Sequence, residues 1–280
     1  MRTKTSSELL RNLLNQRHLS FLKRGNEAIK LALRLAKEQG RTTLLIPDQG
    51  GWITYPQYGK QLGFKTHLFP TQHGLFDEQI CQHHDGAVLL LNSLPAYTFQ
   101  LPMERIAHAC KQHNILLIND VSASIGSLSA TFGDYTIGSF NHWKPIPLQQ
   151  GGFIAAQQPL PPSTFKPDEN LLIRLLETLP ERTATIKKQA QQLKQHLSPS
   201  FPPLFPQHQG YNVIVPYKNE QEQQLIIQRS QELFPNIAYT LCPRFIRVNE
   251  QAISFELKRF FDQQLLQKKE PPHPSQKPKN

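Results

Sequence analysis

The stretch from Gly133 to Ala156 combines a lysine, a hydroxyl group and a glycine pair that together could carry out carbonyl chemistry. Lys144 follows Ser139 by five residues and precedes Gly151-Gly152, which opens a short apolar run. A lysine amine attacks a carbonyl group only when burial or a neighbouring cation keeps it partly neutral. Because Lys144 has mainly apolar neighbours, it is a candidate nucleophile; a surface lysine that snorkels from a loop is the competing interpretation.

Asp120 closes a predicted buried strand that begins at Ile115, and no basic residue adjoins it in the sequence. A carboxylate in that position needs a partner to stay ionised, and ligands of parallel sheets gather beyond the carboxyl ends of the strands. Gly25 and Asn26 open a predicted helix, whose free backbone N-H groups suit a phosphate. An alternative role for Asp120 is to cap a helix or turn.

A lysine, a carboxylate and a helix N-terminus at one sheet edge are what a pyridoxal phosphate (PLP) site requires. The lysine attaches the cofactor and the acid keeps its ring nitrogen protonated. Trp52, in the loop after the first predicted strand of the sheet, could stack on the ring or serve only in packing.

The pattern of apolar residues predicts the fold class α/β, with a mostly parallel sheet and helices on both faces. Strands are predicted at 42–47, 65–69, 87–91 and 115–118, and helices at 6–22, from 25 to Gly40, 55–62 and 103–113. A small C-terminal α+β unit is predicted from strands at 211–216 and 245–248 and helices at 220–233 and 254–266. The corresponding domains are an N-terminal helical segment (1–23), a PLP-binding large domain (24–157), a linker with helices (158–210), the small domain (211–267) and a disordered tail (268–280).

Composition restricts the function classes. The net charge is +10, but residues 1–41 carry +7 and residues 268–280 carry +3, so the middle of the chain is neutral. This distribution argues against a nucleic-acid groove through the fold, although the basic ends could contact an acidic partner. No apolar run is long enough for a membrane helix, the N-terminus lacks a secretory pattern, and the three cysteines form no C-x-x-C pair. We therefore expect a cytoplasmic protein without a metal site.

Three stretches resemble, in order and spacing, the DegT/DnrJ/EryC1/StrS aminotransferases, which are PLP enzymes of fold type I acting mostly on nucleotide-linked keto-sugars. They read RGNEAIKLAL (24–33), NDVSASIGS (119–127) and GDYTIGSFNHWK (133–144), the last followed by GGFIAA. The resemblance covers about half of the chain. It implies a homodimer with the cofactor near the subunit interface.

By this resemblance Lys144 matches the Schiff-base lysine and Asp120 the partner of the ring nitrogen. Ser139 matches a phosphate-binding serine, and Gly25 and Asn26 match a Gly-Thr pair that holds the phosphate, with Asn in place of Thr. Trp52 takes the place of the stacking aromatic, about one residue late. The implied activity is transfer of an amino group from a small-molecule donor to a keto acceptor, with keto-sugars as one candidate class.

Two departures favour a different class, a catalytically degenerate PLP-fold protein with a binding or regulatory role. Ala123 stands where the family has a glutamine that contacts the cofactor, and the chain is about a hundred residues shorter than is common.

For the substrate, Arg247 in a predicted strand is a candidate carboxylate clamp, with an ordinary exposed strand residue as the alternative. Cys242 raises the possibility of a cysteine desulfurase, but T-L-C-P-R does not resemble a flexible nucleophile loop, so a buried inert thiol is expected.

Overall fold

The computed structural model describes residues 4–96 and 99–259. Within these residues the chain forms seven α-helices and ten β-strands. The helices are α1 (Ser6–Leu14), α2 (Gly25–Glu38), α3 (Thr54–Gln61), α4 (Met103–Gln112), α5 (Glu169–Glu177), α6 (Leu179–Leu197) and α7 (Glu220–Leu233). The strands are β1 (His18–Leu22), β2 (Thr43–Pro47), β3 (Lys65–Phe69), β4 (Val88–Asn92), β5 (Leu116–Asp120), β6 (Tyr135–Ser139), β7 (Gly152–Ala156), β8 (Asn212–Pro216), β9 (Tyr239–Leu241) and β10 (Ala252–Glu256).

Seven strands form the large sheet in the order β1-β7-β6-β5-β4-β2-β3. Its four pairs from β6 to β3 are parallel, whereas β7 runs antiparallel to both β6 and β1. Alternate residues of the central strands enter different cores. Leu44, Val88 and Leu116 pack with α2 and α3, while Leu45, Leu89 and Leu117 pack with α4. The predicted α/β class, a mostly parallel sheet covered on both faces, is confirmed.

Helix α2 shows how the sequence places an element against this sheet. Its apolar residues recur every three to four positions, so they lie on one side of the helix. Ala28, Ala32, Leu33 and Ala36 are completely buried in the core that also holds the central strands. Because three of these four side chains are alanine, the helix axis can approach the sheet closely. The N-terminus of α2 lies at the carboxyl end of β6, where Gly25 adjoins Ser139.

A second, three-stranded sheet has the order β8-β10-β9, with all neighbours antiparallel. Helices α6 and α7 cover it through a separate apolar cluster. This arrangement agrees with an α+β character for the C-terminal part of the chain. The domain boundaries remain predictions.

Three predicted elements are wrong. Residues 6–22 do not form one helix, because Asn15 adopts a left-handed backbone (φ 53°) that ends α1, and β1 pairs with β7. Residues 245–248 form a turn, since Ile246 has φ 57°. The start of the helix predicted at 254–266 is wrong, because residues 254–256 lie in β10, whereas residues 257–259 are helical as predicted. Residues 260–266 of that helix and the predicted disordered tail, 268–280, lie outside the described residues.

Lys194 is a buried cation within α6. Its side chain is almost completely buried (2% exposed), and Nζ donates hydrogen bonds to the carbonyl oxygens of Phe205 (2.9 Å) and His208 (2.6 Å). Burial lowers the pKa of Lys194 from 10.5 to about 8. The ammonium group of Lys194 therefore holds the segment before β8 through two hydrogen bonds, but its burial costs desolvation free energy.

That cost predicts a pH-dependent stability. Because the folded pKa of Lys194 lies below the unfolded value, the unfolded chain binds more protons between pH 8 and 10.5, and stability rises with pH in that window. We expect the free energy of unfolding to increase by about 2 kcal/mol from pH 8 to pH 10, relative to Lys194→Met. Urea titrations at both pH values measure the free energy of unfolding. An equal change between pH 8 and pH 10 in wild type and Lys194→Met would show that Lys194 does not titrate in this range.

Candidate active site

A cleft of about 960 Å³ opens at the carboxyl ends of the central strands. All seven residues that the sequence singled out as a site line it: Gly25, Asn26, Trp52, Asp120, Ser139, Lys144 and Arg247. They come from the start of α2, the ends of β5 and β6, two loops and a turn near the second sheet. The tertiary structure thus gathers residues separated by up to 222 positions in the chain into one cavity.

Asp120 is the last residue of β5 and is 6% exposed. Both of its carboxylate oxygens accept hydrogen bonds. The backbone N-H of Ser122 donates to Oδ1 at 2.9 Å, and the hydroxyl of Tyr55 donates to Oδ2 at 2.6 Å. The bond from Ser122 caps the turn that follows β5, which is the alternative role considered for Asp120, and the bond from Tyr55 ties the same carboxylate to α3.

Lys144 lies in the loop between β6 and β7, and its charge interacts with that of Asp120. Burial lowers the pKa of Lys144 and Arg247 lowers it further, whereas Asp120 and Glu256 raise it. A lowered pKa leaves more of the amine neutral near pH 7, which is the form that attacks a carbonyl carbon. Lys144 is half-buried, and the direction of its pKa shift favours the nucleophile interpretation over that of a snorkelling surface lysine.

The N-terminus of α2 meets the end of β6 in unusually close contact. A Cβ atom on Gly25 would lie 2.6 Å from Cβ of Ser139, so only glycine fits without displacing one of the two elements. The N-cap residue, Arg24, makes no side-chain capping hydrogen bond within the described chain. The first turn of α2 and the Ser139 hydroxyl thus face the cleft together, which is an arrangement suited to a phosphate.

Trp52 lies near two cations at the wall of the cleft. The centre of its ring system is 5.8 Å from Nζ of Lys144 and 5.3 Å from Cζ of Arg247. These distances are in the range of cation-π contacts. Trp52 therefore contributes to the cleft itself in addition to packing against the core of α2 and α3.

Arg247 reaches the cleft from a turn, not from the strand that the sequence predicted. The carbonyl oxygens of Ile246 and Arg247 accept hydrogen bonds from the backbone N-H groups of Gly51 and Gly50, both at 2.8 Å. These two hydrogen bonds join the turn that carries Arg247 to the loop after β2. Burial lowers the pKa of Arg247, and the nearby Glu256 opposes that shift.

Sequence reasoning missed Tyr55 and Glu256, both of which interact with the predicted site residues. Tyr55 stands three residues after Trp52 in the first turn of α3, but nothing in the sequence indicates that its hydroxyl meets Asp120. Glu256 falls in the region predicted as a helix, so its position on β10 was not foreseen.

Cations predominate in the lining of the cleft. The acids are Asp120 and Glu256, and the bases are Lys23, Arg24, Lys144, Arg244, Arg247, Lys258 and Arg259.

Cys242 is buried, and burial raises the pKa of its thiol to about 11, so it has the properties of an inert thiol. No helix among the described residues is long and apolar enough to cross a membrane.

The described structure is similar to solved enzymes of known fold. The E. coli GDP-4-keto-6-deoxy-D-mannose-3-dehydratase, solved with hydrated PLP, matches with a TM-score of 0.71 and 13% identity over 92% of this chain and 88% of its own. 3-Amino-5-hydroxybenzoic acid synthase matches with a TM-score of 0.69 and 13% identity over 91% and 85%. An aspartate aminotransferase from Thermus thermophilus matches with a TM-score of 0.65 and 16% identity over 90% and 83%. These likenesses show the fold, that of fold-type-I PLP enzymes.

Sequence comparison adds one partial match. Residues 180–270 match the model of the MJ1341 family C-terminal domain, which is about a third of the chain. No curated protein matches the sequence. The DegT/DnrJ/EryC1/StrS resemblance thus has no support from these sequence comparisons beyond the motifs themselves.

Proposed function

We propose that this protein is a PLP-dependent aminotransferase, in which Lys144 attaches the cofactor and Asp120 contacts its ring nitrogen. The observation that carries the proposal is the meeting of a lysine of lowered pKa and a buried carboxylate in one cleft, beside a helix N-terminus. The shared fold with enzymes solved with PLP supports the choice of cofactor. The order of the sequence motifs supports a relation to the DegT/DnrJ/EryC1/StrS family.

The residues present fit PLP at its phosphate, ring face, ring nitrogen and aldehyde. The first turn of α2, which contains Gly25 and Asn26, would hold the phosphate together with the Ser139 hydroxyl at the end of β6. Trp52 would lie against the ring. When bound, PLP supplies an electron sink for the carbon that carries the amino group. Lys144 Nζ would move a proton between substrate carbon and cofactor, and Asp120 would hold the proton at the ring nitrogen.

The lining charges support an anionic substrate. Arg247 can bind a carboxylate through two parallel hydrogen bonds, and its neighbours Arg244 and Lys258 add positive charge around the same part of the cleft. An amino-acid donor and a keto acceptor that carries a carboxylate or phosphate are consistent with this environment. Keto-sugars remain one candidate class of acceptor.

We further propose that the chain acts as a homodimer in the cytoplasm. Two large apolar side chains, Trp143 and Phe245, are 49% and 65% exposed and flank cleft residues Lys144 and Arg244. If Trp143 and Phe245 belong to one contiguous apolar patch beside the cleft, a partner subunit would cover it. Sedimentation equilibrium of the purified protein tests the assembly, and a monomer at all concentrations contradicts it.

A degenerate PLP-fold protein is the second candidate, because Ala123 is a buried methyl group in the cleft where a polar contact to the cofactor is expected. One experiment separates the two. Purified protein is incubated with PLP, and amino donors are then screened for conversion of the cofactor to its amine form by absorbance. Uptake of PLP followed by conversion supports the enzyme; a protein that takes up no PLP contradicts it.

The phosphate site gives a prediction of its own. Gly25→Ala places a methyl group 2.6 Å from Ser139 Cβ and must push α2 and β6 apart. We expect the dissociation constant for PLP to rise about tenfold, the effect of a moderate overpacking penalty. Fluorescence titration measures it. Gly40→Ala is the control for backbone strain: its φ of 79° makes alanine unfavourable, but no atom lies within 4 Å of that position and it does not line the cleft. Equal affinities of the two variants would contradict the phosphate assignment.

A further inference from the structure

Tyr55 is a buried hydroxyl group that the proposed chemistry does not use. Its side chain has no solvent exposure, and its hydroxyl donates to Oδ2 of Asp120 at 2.6 Å. Oδ1 of the same carboxylate accepts from the backbone N-H of Ser122 at 2.9 Å. Each oxygen of Asp120 is thus held by a different element, α3 on one side and the segment after β5 on the other.

The ring of Tyr55 is itself held in place. A Cβ atom on Gly51 would lie 3.2 Å from two carbons of the ring and 3.6 Å from Cγ1 of Ile246, so the glycine backbone packs closely against both side chains. The N-H of Gly51 also donates to the carbonyl oxygen of Ile246 at 2.8 Å. Burial, followed by the charge of Asp120, raises the pKa of Tyr55 well above its usual value, so the hydroxyl remains a donor at all physiological pH values.

Asp120 needs such a constraint because strong charges share its cleft. Lys144 acts on it from the loop after β6, and Arg247, from the turn between β9 and β10, acts on Tyr55 beside it. Glu256 of β10 opposes both cations. The torsion that turns an aspartate carboxylate is soft, so a carboxylate held at one oxygen only would rotate toward the nearest cation.

We propose that Tyr55 is a positioning residue that holds Asp120 in the orientation needed to contact the cofactor's ring nitrogen and prevents its rotation toward Lys144. This inference rests on the proposed PLP function. It gives the Tyr55 hydroxyl a role in cofactor recognition, although Tyr55 itself touches neither cofactor nor substrate. Without the hydroxyl, the contact at the ring nitrogen weakens while the contacts of phosphate and ring face remain.

The test compares two ligands that differ at one ring atom. PLP and its 1-deaza analogue, which has a C-H group in place of the ring nitrogen, are titrated into wild type, Tyr55→Phe and Asp120→Asn. We expect wild type to prefer PLP by at least about tenfold, the value of a hydrogen bond to a charged group. Tyr55→Phe should lose most of that preference, a drop of at least about threefold in the ratio, and Asp120→Asn should lose all of it.

The ratio separates positioning from structural damage, because a distorted site weakens both ligands equally. Tyr58→Phe is the matched control: it removes a hydroxyl from the same helix and should keep the wild-type ratio, since Tyr58 makes no contact with Asp120. Equal weakening of both ligands in Tyr55→Phe, or an unchanged or larger ratio, overturns the proposal for Tyr55. Wild type that binds neither ligand overturns the PLP function and the Tyr55 role with it.

Discussion

Lys144→Ala is expected to lower aminotransferase turnover by about a thousandfold or more, because no other group replaces a covalent attachment point and proton carrier. Lys144 has the lowered pKa that this role needs, through burial and the charge of Arg247. The measurement is single-turnover conversion of the bound cofactor by an amino donor, followed by absorbance. Borohydride reduction of the wild-type protein and peptide mass spectrometry should locate the covalently bound cofactor on residue 144.

The matched control is Lys111→Ala, which removes an exposed lysine from α4, outside the cleft. It should retain wild-type turnover and covalent labelling. Borohydride labelling of a different lysine, or wild-type turnover in Lys144→Ala, would contradict the assignment. Thermal unfolding of both variants checks that the loss of turnover in Lys144→Ala does not come from misfolding.

Asp120→Asn is expected to lower turnover by about a hundredfold or more while changing few contacts. The amide is nearly isosteric with the carboxylate, and its oxygen can still accept from Tyr55 or Ser122, which now donate at 2.6 Å and 2.9 Å. The charge that would keep the ring nitrogen protonated is lost, and with it the stabilisation of negative charge in the transition state. Rapid-scan absorbance after mixing with an amino donor measures the rate.

Asp48→Asn is the control for Asp120→Asn. Asp48 follows β2 at the same edge of the sheet, and its Oδ1 accepts from the N-H (3.0 Å) and hydroxyl (2.7 Å) of Thr71, away from the cleft. An asparagine oxygen can accept both bonds, so turnover should stay near wild type. If Asp120→Asn and Asp48→Asn reduced turnover equally, the effect would come from the sheet edge and not from a contact with the cofactor.

Much of the fold could be predicted from local patterns. Residues 65–69 form β3 as predicted, and α2 begins at Gly25 as predicted, because each element buries a face with its own periodicity. The elements that were wrong depend on distant partners. β1 pairs with β7, which lies more than a hundred residues later, and β10 pairs with β8 and β9. Such pairings leave no local signal in the sequence.

The predicted site shows the same division. The sequence alone predicted that Lys144, Asp120 and Ser139 belong to one site with Gly25, because residue type, position at an element end and order along the chain are local information; the structure places all four in one cleft. Arg247 was placed in the correct cleft but on the wrong element, since the left-handed backbone of Ile246 makes a turn where alternation suggested a strand. That backbone is stabilised by hydrogen bonds to Gly50 and Gly51, which come from the other end of the chain.

The sequence by itself determined the layered α/β class and the chemical types available to the site, because hydrophobic period and side-chain chemistry are local properties. Only the tertiary structure decided that the Tyr55 hydroxyl donates to Asp120, that Glu256 raises the pKa of Lys144, and that Trp52 lies near both Lys144 and Arg247. Hydrogen bonds and charge interactions at these distances depend on where distant segments meet, and that is settled by the packing of the whole chain.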